Sequence, residues 1–423
     1  MNDEETNHRR WRLPRTFSAL RHRNYRLFYG GQMVSLTGSW MQQTALAWIT
    51  YDITHSAFLL GLISAVGSLP MFFFSIPGGV LADRMEKRRI IIFTQTTAMI
   101  LAFILTALTA FDVIQAWHIA LLAACSGTVL AFDMPARQAF VVEMVGKEEL
   151  MNAIALNSTI FNSARIFGPA IAGALVASVG PSWCFFINGL SFLAVIAGLF
   201  LMRFPEHVGG TRSGSMLQEA LSGFRYLRTN RTVLNIASML GIFFIFGWYY
   251  AVLLPVFAKD ILDVGAPGLG YLMTASGVGA LFGALTVATL SAYPHKRRLF
   301  FGGAILLAAA SEGFAFSRIF SLSAVLLALV GFGGITVMAT ANTMIQLSVS
   351  DDMRGRIMGV WALVFAGTTP ISSFLAGTLA QHFGAPFAVA LGAGITGLMA
   401  IGAVLAAWRG KGKEEDRRMK AEG

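Results

Sequence analysis

Apolar runs of about 20 residues, separated by short charged or glycine-marked connections, recur along nearly the whole chain, and each is long enough to cross the hydrocarbon core of a bilayer. They predict helices at 27–51, 57–81, 90–111, 117–136, 153–177 and 183–202, then at 233–257, 268–291, 299–317, 321–345, 357–381 and 386–408. Only helices or closed barrels satisfy backbone polar groups in lipid, and these runs are far too long for barrel strands. The expected architecture is therefore an all-α membrane protein of twelve transmembrane helices.

The longest connection, 203–232, holds Gly209, Gly210 and Gly214, followed by Leu217, Leu221, Phe224 and Leu227 at helical spacing beside basic residues. It reads as a flexible linker with an amphipathic helix lying at the membrane surface. It divides the chain into a tail (1–26), a six-helix bundle (27–202), a second bundle (233–408) and a closing tail (409–423). The first tail is charged and lacks a short apolar core with a cleavage site, so no removable signal peptide is expected and the first helix serves as the anchor. Sliding one half over the other brings Ala172, Gly173, Leu175 and Gly180 onto Ala376, Gly377, Leu379 and Gly384, and Gly79 onto Gly283. Matching small residues at matching positions in corresponding helices predict an internal duplication and two pseudo-symmetric halves.

Composition agrees with lipid as the solvent: 55% of the chain is hydrophobic and only 13% charged, with 44 glycines among 423 residues. The net charge of +10 raises the question of nucleic acid, and its placement answers it. Of 32 Lys and Arg, all but Lys259, Arg318 and Arg165 lie in the tails and in the loops on the tails' side, including Arg84, Arg88, Arg225, Arg298 and Arg354. Topogenic charge explains the excess, no nucleic-acid partner is expected, and both termini are expected in the cytoplasm. Cys125 and Cys184 fall in or beside apolar spans, which argues against a disulfide framework or metal cluster. No phosphate loop, zinc-ligand spacing or G-x-S-x-G nucleophile is present, so no cofactor and no enzymatic activity are expected.

Polar residues inside the apolar runs are the candidate chemistry. The first helix carries Gln32, Ser35, Ser39, Gln42 and Gln43 largely along one stripe, which a lipid-facing helix would avoid. The stripe is expected to face the protein interior. The fourth helix adds Ser126, the fifth Asn157 and Asn162, the seventh Phe244, Trp248 and Tyr249, the tenth Thr336, Thr340 and Asn342, and the eleventh Trp361 and Thr368. Amides, hydroxyls and aromatic faces suit a large amphipathic ligand. For any single residue, interhelical hydrogen bonding or interfacial anchoring is the alternative. Arg165 is the one basic residue well inside a span, where an unpaired charge requires an acidic partner, a polar cavity or an anionic ligand. Asp133 and Arg137, four apart, can pair along one helical face, or Asp133 can reach Arg165 in one state of a cycle. Structural pairing and substrate or proton binding both remain open for this group. Glu312 lies deep in the ninth run, where a desolvated carboxyl could carry a proton or serve packing. All seven histidines fall in tails, loops or span ends, leaving Asp133 and Glu312 as the carboxylate candidates.

After the second helix comes Gly79-Val80-Leu81-Ala82-Asp83-Arg84-Met85-Glu86-Lys87-Arg88-Arg89. This resembles the G-x-L-a-D-r-x-G-r-k loop of the major facilitator superfamily, and the resemblance extends over all twelve helices. Gly79 allows close helix approach, Asp83 can face a helix N-terminus, and Arg84 with Lys87 and Arg88 can hold acceptors on neighbours, which together would latch the cytoplasmic side. Glu86 stands where the family has glycine, and in the second half Val287 replaces the aspartate, leaving Lys296, Arg297 and Arg298 as a topogenic cluster. In the fifth helix, Arg165-Ile166-Phe167-Gly168-Pro169-Ala170-Ile171-Ala172-Gly173 resembles the G-P-x-x-G-G signature of exporters and antiporters, with Ala172 in place of the first closing glycine. The expected mate is the eighth helix through Ser276, Gly279 and Gly283, forming an outer-side seal.

The resemblance implies the major facilitator fold, with the first, fourth, seventh and tenth helices lining a cavity and the third, sixth, ninth and twelfth peripheral. Phe132-Asp133-Met134-Pro135-Ala136-Arg137-Gln138 and Arg354-Gly355-Arg356 look most like the bacterial branch of enterobactin exporters and macrolide or multidrug efflux permeases. The implied protein is a monomeric secondary transporter of the bacterial cell membrane, moving a siderophore or drug outward in exchange for protons as two bundles rock. An importer or facilitator of a small solute, and a membrane sensor that kept the fold, are the alternatives.

Overall fold

The structure, a computed structural model, describes residues 15–203, 231–290 and 293–422. A 3-10 turn at Arg15–Arg21 leads into α1 (Arg23–Thr54), α2 (Ala57–Arg84), α3 (Lys87–Ala110), α4 (Ala116–Val145), α5 (Leu150–Ser178) and α6 (Pro181–Leu201). The second half holds α7 in two segments (Arg231–Phe246 and Tyr249–Val256), α8 (Gly265–Thr289), α9 (Lys296–Phe316), α10 (Phe320–Leu347), α11 (Asp351–Phe383) and α12 (Ala385–Glu422). No strand occurs among the described residues. Eleven of the helices are long and apolar enough to cross a membrane. The exception, α1, has 32 residues and fails on apolarity, because its glutamines, serines and threonines lie within the run. The expected amphipathic helix at Leu217–Leu227 lies outside the described residues. The backbone of α12 runs on through most of the closing tail, since an α-helix satisfies its own hydrogen bonds on either side of a membrane boundary.

Local sequence explains the reversals. Ser56 caps α2 by accepting from the Leu59 amide at 3.2 Å. The aligned Gly180 and Gly384 sit between α5 and α6 and between α11 and α12 at φ of 94° and 87°, a backbone region that favours glycine. The same residue thus makes the same turn in both halves.

Each half packs with the same connectivity. In the first, α2 lies on α4, α4 on α3, α3 on α6, α6 on α1 and α1 on α5; in the second, α8 lies on α10, α10 on α9, α9 on α12, α12 on α7 and α7 on α11. These are two pseudo-symmetric six-helix bundles. They meet along two seams, α2 with α11 and α5 with α8, which the pseudo-symmetry exchanges.

At both seams glycine removes the side chain that would hold the backbones apart. A Cβ on Gly377 would lie 2.6 Å from the Ala57 carbonyl oxygen, and one on Gly61 2.5 Å from that of Ser373. A Cβ on Gly173 would meet the Ala266 oxygen at 2.8 Å, and one on Gly270 the Pro169 oxygen at 2.4 Å. The aligned glycines Gly173 and Gly377 therefore occupy equivalent seams.

These contacts lie in the helix halves away from the termini, at what we term the far end. Toward the termini the bundles part: Asp83 and Arg84, at the end of α2, are exposed. Gly377→Leu is expected to weaken the far-end seam by about 1–3 kcal/mol, the usual range for overpacking. In a background with Cys125 and Cys184 replaced, a cysteine at Met273 should then react several-fold faster with a membrane-impermeant maleimide applied to the far end; an unchanged rate refutes the seam's role.

Candidate functional site

The first bundle has two apolar cores. One, nearer the termini, contains Tyr25, Phe28, Ile91, Phe140, Leu156 and Leu199; the other, nearer the far end, contains Met41, Ile63, Leu105, Leu122 and Phe185. Between them lies a polar layer. Asp133, 2% exposed, accepts from Thr94 Oγ1 at 2.7 Å, from Gln95 Nε2 at 3.0 Å and from the Arg137 guanidinium in an ion pair. Arg137 also donates to Gln32 Oε1 at 2.5 Å. Farther along, Asn188 of α6 donates to Gln42 Oε1 at 2.8 Å and Ser191 donates to the Asn188 carbonyl. The second bundle has one continuous apolar core, from Val233 and Phe244 to Leu327 and Ala400.

The expected pairing of Asp133 with Arg137 is present, and Gln32, Ser35 and Gln42 lie in or beside this layer, so much of the α1 stripe does face the protein interior. Ser39 donates to the Ser35 carbonyl at 2.9 Å, and Gln43 is exposed. Asp133 is turned toward α3, and no contact joins it to Arg165.

Arg165 sits instead at a junction of α5, α7 and α8. Its Nη2 donates to Asn162 Oδ1 at 3.3 Å, while Nε is buried with no partner. Among the described residues it forms no ion pair. Tyr250, from the second segment of α7, is near enough to interact with it electrostatically, and the Tyr250 hydroxyl lies 3.4 Å from Ser276 Oγ on α8. Pro169 has no N–H to offer the Arg165 carbonyl, the bond an ordinary residue would make. Gly277 packs against that carbonyl, where a Cβ would be 3.2 Å away, and Thr274 donates to the adjacent Ile166 carbonyl at 2.9 Å.

The G-P signature thus spreads over two faces of α5. Gly168 takes the α1 backbone, where a Cβ would meet Trp40 Cβ at 2.6 Å, and Ala172 is fully buried in the far-end core. Pro169 and Gly173 meet α8. The helix pairing agrees with expectation, but the α8 face does not. Ser276, Gly279 and Gly283 turn their backbone to α10, with a Cβ on Gly279 only 1.7 Å from the Ala328 oxygen; Ala266, Gly270, Thr274 and Gly277 face α5. Small residues lie on both sides of α8, so spacing alone could not choose between them.

At the loop motif, the close approach belongs to Gly78, where a Cβ would be 2.4 Å from the Ala131 oxygen; Gly79 is buried beside it. Asp83 and Arg84 make no hydrogen bond or ion pair among the described residues. Lys87 pairs with Glu143 at 2.5 Å and Arg88 reaches the Phe200 carbonyl at 3.5 Å, both within the first bundle. Among the described residues, neither side chain reaches the second bundle. Glu312, expected deep in a span, is exposed four residues from the end of α9, because that helix turns this face away from its bundle.

The remaining candidates do not line one cavity. Phe244 packs edge-on against Trp361 and Phe365, with ring centroids 6.0 and 5.1 Å away, and with Val233, Leu240 and Val364 it borders a small apolar cavity of about 20 Å³ between α7 and α11. Trp248 lies edge-on to Phe243, and Tyr249 is buried against Gly392 of α12. Thr336 and Thr368 return their hydroxyls to the Phe332 and Val364 carbonyls, each at 2.7 Å. Asn342 accepts from Gln346, Asn157 accepts from Tyr25 at 3.2 Å, Ser126 is half-buried, and the buried Thr340 hydroxyl has no partner among the described residues.

Sequence reading missed the far-end closure. Lys259 and Asp260 lie on a π turn at Phe257–Ile261 that continues α7, and they cross to neighbouring residues at the end of α1. Lys259 Nζ meets Asp52 Oδ1 at 2.6 Å, and the Tyr51 hydroxyl donates to Asp260. Ser56 donates to Gln381 of α11 at 3.0 Å. Lys259 stood out in the sequence only as a rare basic residue on this side; its partners are ordinary loop-edge residues until the fold places them.

Two pseudo-symmetric six-helix bundles, closed by glycine seams at one end and parted at the other, have the architecture of a membrane transporter. Residues 15–421 match the pattern of the transmembrane secretion effector family of the major facilitator superfamily, and the chain belongs to that family. It is similar to the staphyloferrin A transporter of Staphylococcus aureus (25% identity; 84% of this chain, 89% of that protein). It also resembles the multidrug efflux pump Tap of Mycolicibacterium fortuitum (26%; 82% and 87%) and the enterobactin exporter EntS of Shigella boydii (28%; 91% and 91%). Among solved structures, nucleoside transporter NupG superposes with a TM-score of 0.68 at 12% identity (91% of this chain, 99% of that one). A bacterial homologue of the human lysosomal transporter Spinster gives 0.67 at 14% (91% and 95%). The family and these relatives are transporters, not enzymes.

Asp133→Asn removes the carboxylate charge from Arg137 and should lower stability by about 3 kcal/mol, the low end for a broken buried pair because Arg137 remains 24% exposed. Thermal unfolding in detergent checks this, and Asp133→Asn with Arg137→Gln should lose less than the sum of the two single changes. At the far end, Asp52→Lys and Lys259→Asp should each raise far-end reactivity of the Met273 cysteine, while the exchanged pair restores the wild-type rate. Because both partners are partly exposed, the effect is small and salt-dependent, about 1 kcal/mol or less.

Proposed function

We propose that this protein exports an amphipathic small molecule, a siderophore or drug, across the bacterial cell membrane in exchange for protons. The observation that carries the reading is the Pro169–Gly173 seam on α8, which closes the far end while the loop motif around Asp83 stands open. That arrangement suits loading from the side of the termini, and the placement of Lys and Arg supports reading that side as the cytoplasm. The relatives Tap, a multidrug efflux pump, and EntS, an enterobactin exporter, support the direction and the substrate class.

In this reading the bundles 27–202 and 233–408 rock about the two glycine seams, joined by the 203–232 linker. Outward opening separates the far-end pairs and brings Asp83 and Arg84 into contact across the other end. Asp133 is the carboxylate through which a proton acts. Protonation would remove the charge that Arg137 and two neutral donors share, and so alter the polar layer between the two cores.

Purified protein in liposomes should move enterobactin, staphyloferrin A or a fluorescent amphiphilic drug from the side of the termini to the far side when protons are more concentrated at the far side. Collapsing the pH gradient with nigericin should abolish uphill movement. Transport that is indifferent to the gradient sinks the antiport reading, and movement only toward the termini sinks export.

A further inference from the structure

We infer that Arg165, Asn162, Tyr250 and Ser276 form a subsite for a carboxylate or similar oxyanion on the ligand, built across the two bundles so that anion binding stabilises their contact at the α5–α8 seam.

The charge balance is the first support. A guanidinium has five N–H donors and no acceptor. Arg165 spends one of them, at 3.3 Å, on Asn162, and its Nε is buried without a partner. Among the described residues Arg137, toward the termini on α4, has a carboxylate of its own, whereas Arg165 has none. A half-buried cation with most donors unspent is costly in a membrane, and an oxyanion is the chemistry that offsets both the charge and the donors.

The second support is where the neighbours come from. Arg165 and Asn162 belong to α5 of the first bundle, while Tyr250 and Ser276 belong to α7 and α8 of the second. Tyr250 and Ser276 are both hydroxyl-bearing, and their oxygens lie 3.4 Å apart, a pair that can turn O–H donors toward an anion without adding a competing negative charge. The backbones are fixed at this level by Gly277 against the Arg165 carbonyl and by the Thr274 hydroxyl on the Ile166 carbonyl. An anion accepting from both bundles would therefore favour the far-end-closed arrangement over the opened one, in which α5 and α8 separate. Release of the anion follows when the seam opens, because the donors no longer converge.

The neighbouring residues fix orientation rather than charge. Gly270 and Gly173 bring α8 and α5 together on the far-end side of the cluster, and Asn162 restrains the guanidinium from the side of the termini. Lysine would keep the charge but not the planar fork, so the subsite should prefer arginine by geometry as well as by sign.

The inference rests on the transport reading only in taking the ligand to enter between the bundles. Its test uses binding, so the two can fail separately. Purified full-length protein is titrated with 2,3-dihydroxybenzoate and with the matched neutral amide, 2,3-dihydroxybenzamide, by calorimetry. Wild type should bind the acid at least ten-fold more tightly than the amide. Arg165→Gln should bring the two to equal affinity with amide binding retained, Arg165→Lys should keep part of the preference, and Tyr250→Phe should weaken acid binding several-fold. In a variant bearing the Met273 cysteine, with Cys125 and Cys184 replaced, the acid should slow far-end maleimide labelling and the amide should not. Equal affinity of wild type for both compounds, no binding of either, or an acid preference that survives Arg165→Gln overturns the subsite. Acid-selective binding without transport in liposomes would leave the subsite standing and remove the export reading.

Discussion

Contact between backbones at two glycine seams is the constraint on which the rest of the molecule depends. In lipid there is little hydrophobic drive to hold helices together, so association relies on close packing, and close packing relies on missing side chains. Gly61 with Gly377 and Gly173 with Gly270 supply it at the two places where, among the described residues, the bundles join extensively. These contacts set which end is closed. They also bring the tips of α1 and α7 near enough for Lys259 to reach Asp52 and for Tyr51 to reach Asp260. Such partly exposed pairs are weak by themselves and act by adding to a contact the glycines have already made.

The bundles share a plan and differ in what fills it. The second has one continuous apolar core in which serine and threonine hydroxyls such as Ser311, Thr340 and Ser372 are buried but, among the described residues, no charge is, whereas the first is cut by a layer holding Asp133, Arg137, Gln32, Thr94 and Gln95. A buried polar layer is costly unless its members satisfy one another, and this one leaves Gln32 Nε2, Gln95 Oε1 and Arg137 Nε without partners among the described residues. A layer of this kind responds sharply to the loss or gain of one charge. A continuous apolar core has no such response. Among the described residues, the buried ion pair of Asp133 with Arg137 belongs to the first bundle alone.

Pro169 shows how one residue serves both parts of the design. It frees the Arg165 carbonyl at the level where Gly277 admits α8, and its own carbonyl faces Gly270. The residue that loosens α5 internally is thus the residue that seats it against the other bundle. Arg165 projects from the same turn, so the seam and the unpaired charge are not independent features.

Read alone, the sequence determined the solvent, the helices, the duplication and the superfamily. Apolar length, charge placement and the paired glycines Gly180 and Gly384 are local or periodic signals, and a membrane enforces them residue by residue. It also identified Asp133 with Arg137, since i and i+4 on a helix must be neighbours, and singled out Arg165 because an intramembrane charge has few excuses. It could not say that α8 shows Gly270 and Gly277 to α5 but Gly279 and Gly283 to α10, that Glu312 lies on an outer face, or that Thr94 and Gln95 complete the Asp133 site. Nor could it join Asp52 to Lys259. Those depend on the rotation of each helix about its axis and on contacts between residues hundreds of positions apart. Only packing all twelve helices at once decides them, because a helix rich in small residues offers several equally good faces until its neighbours take their places.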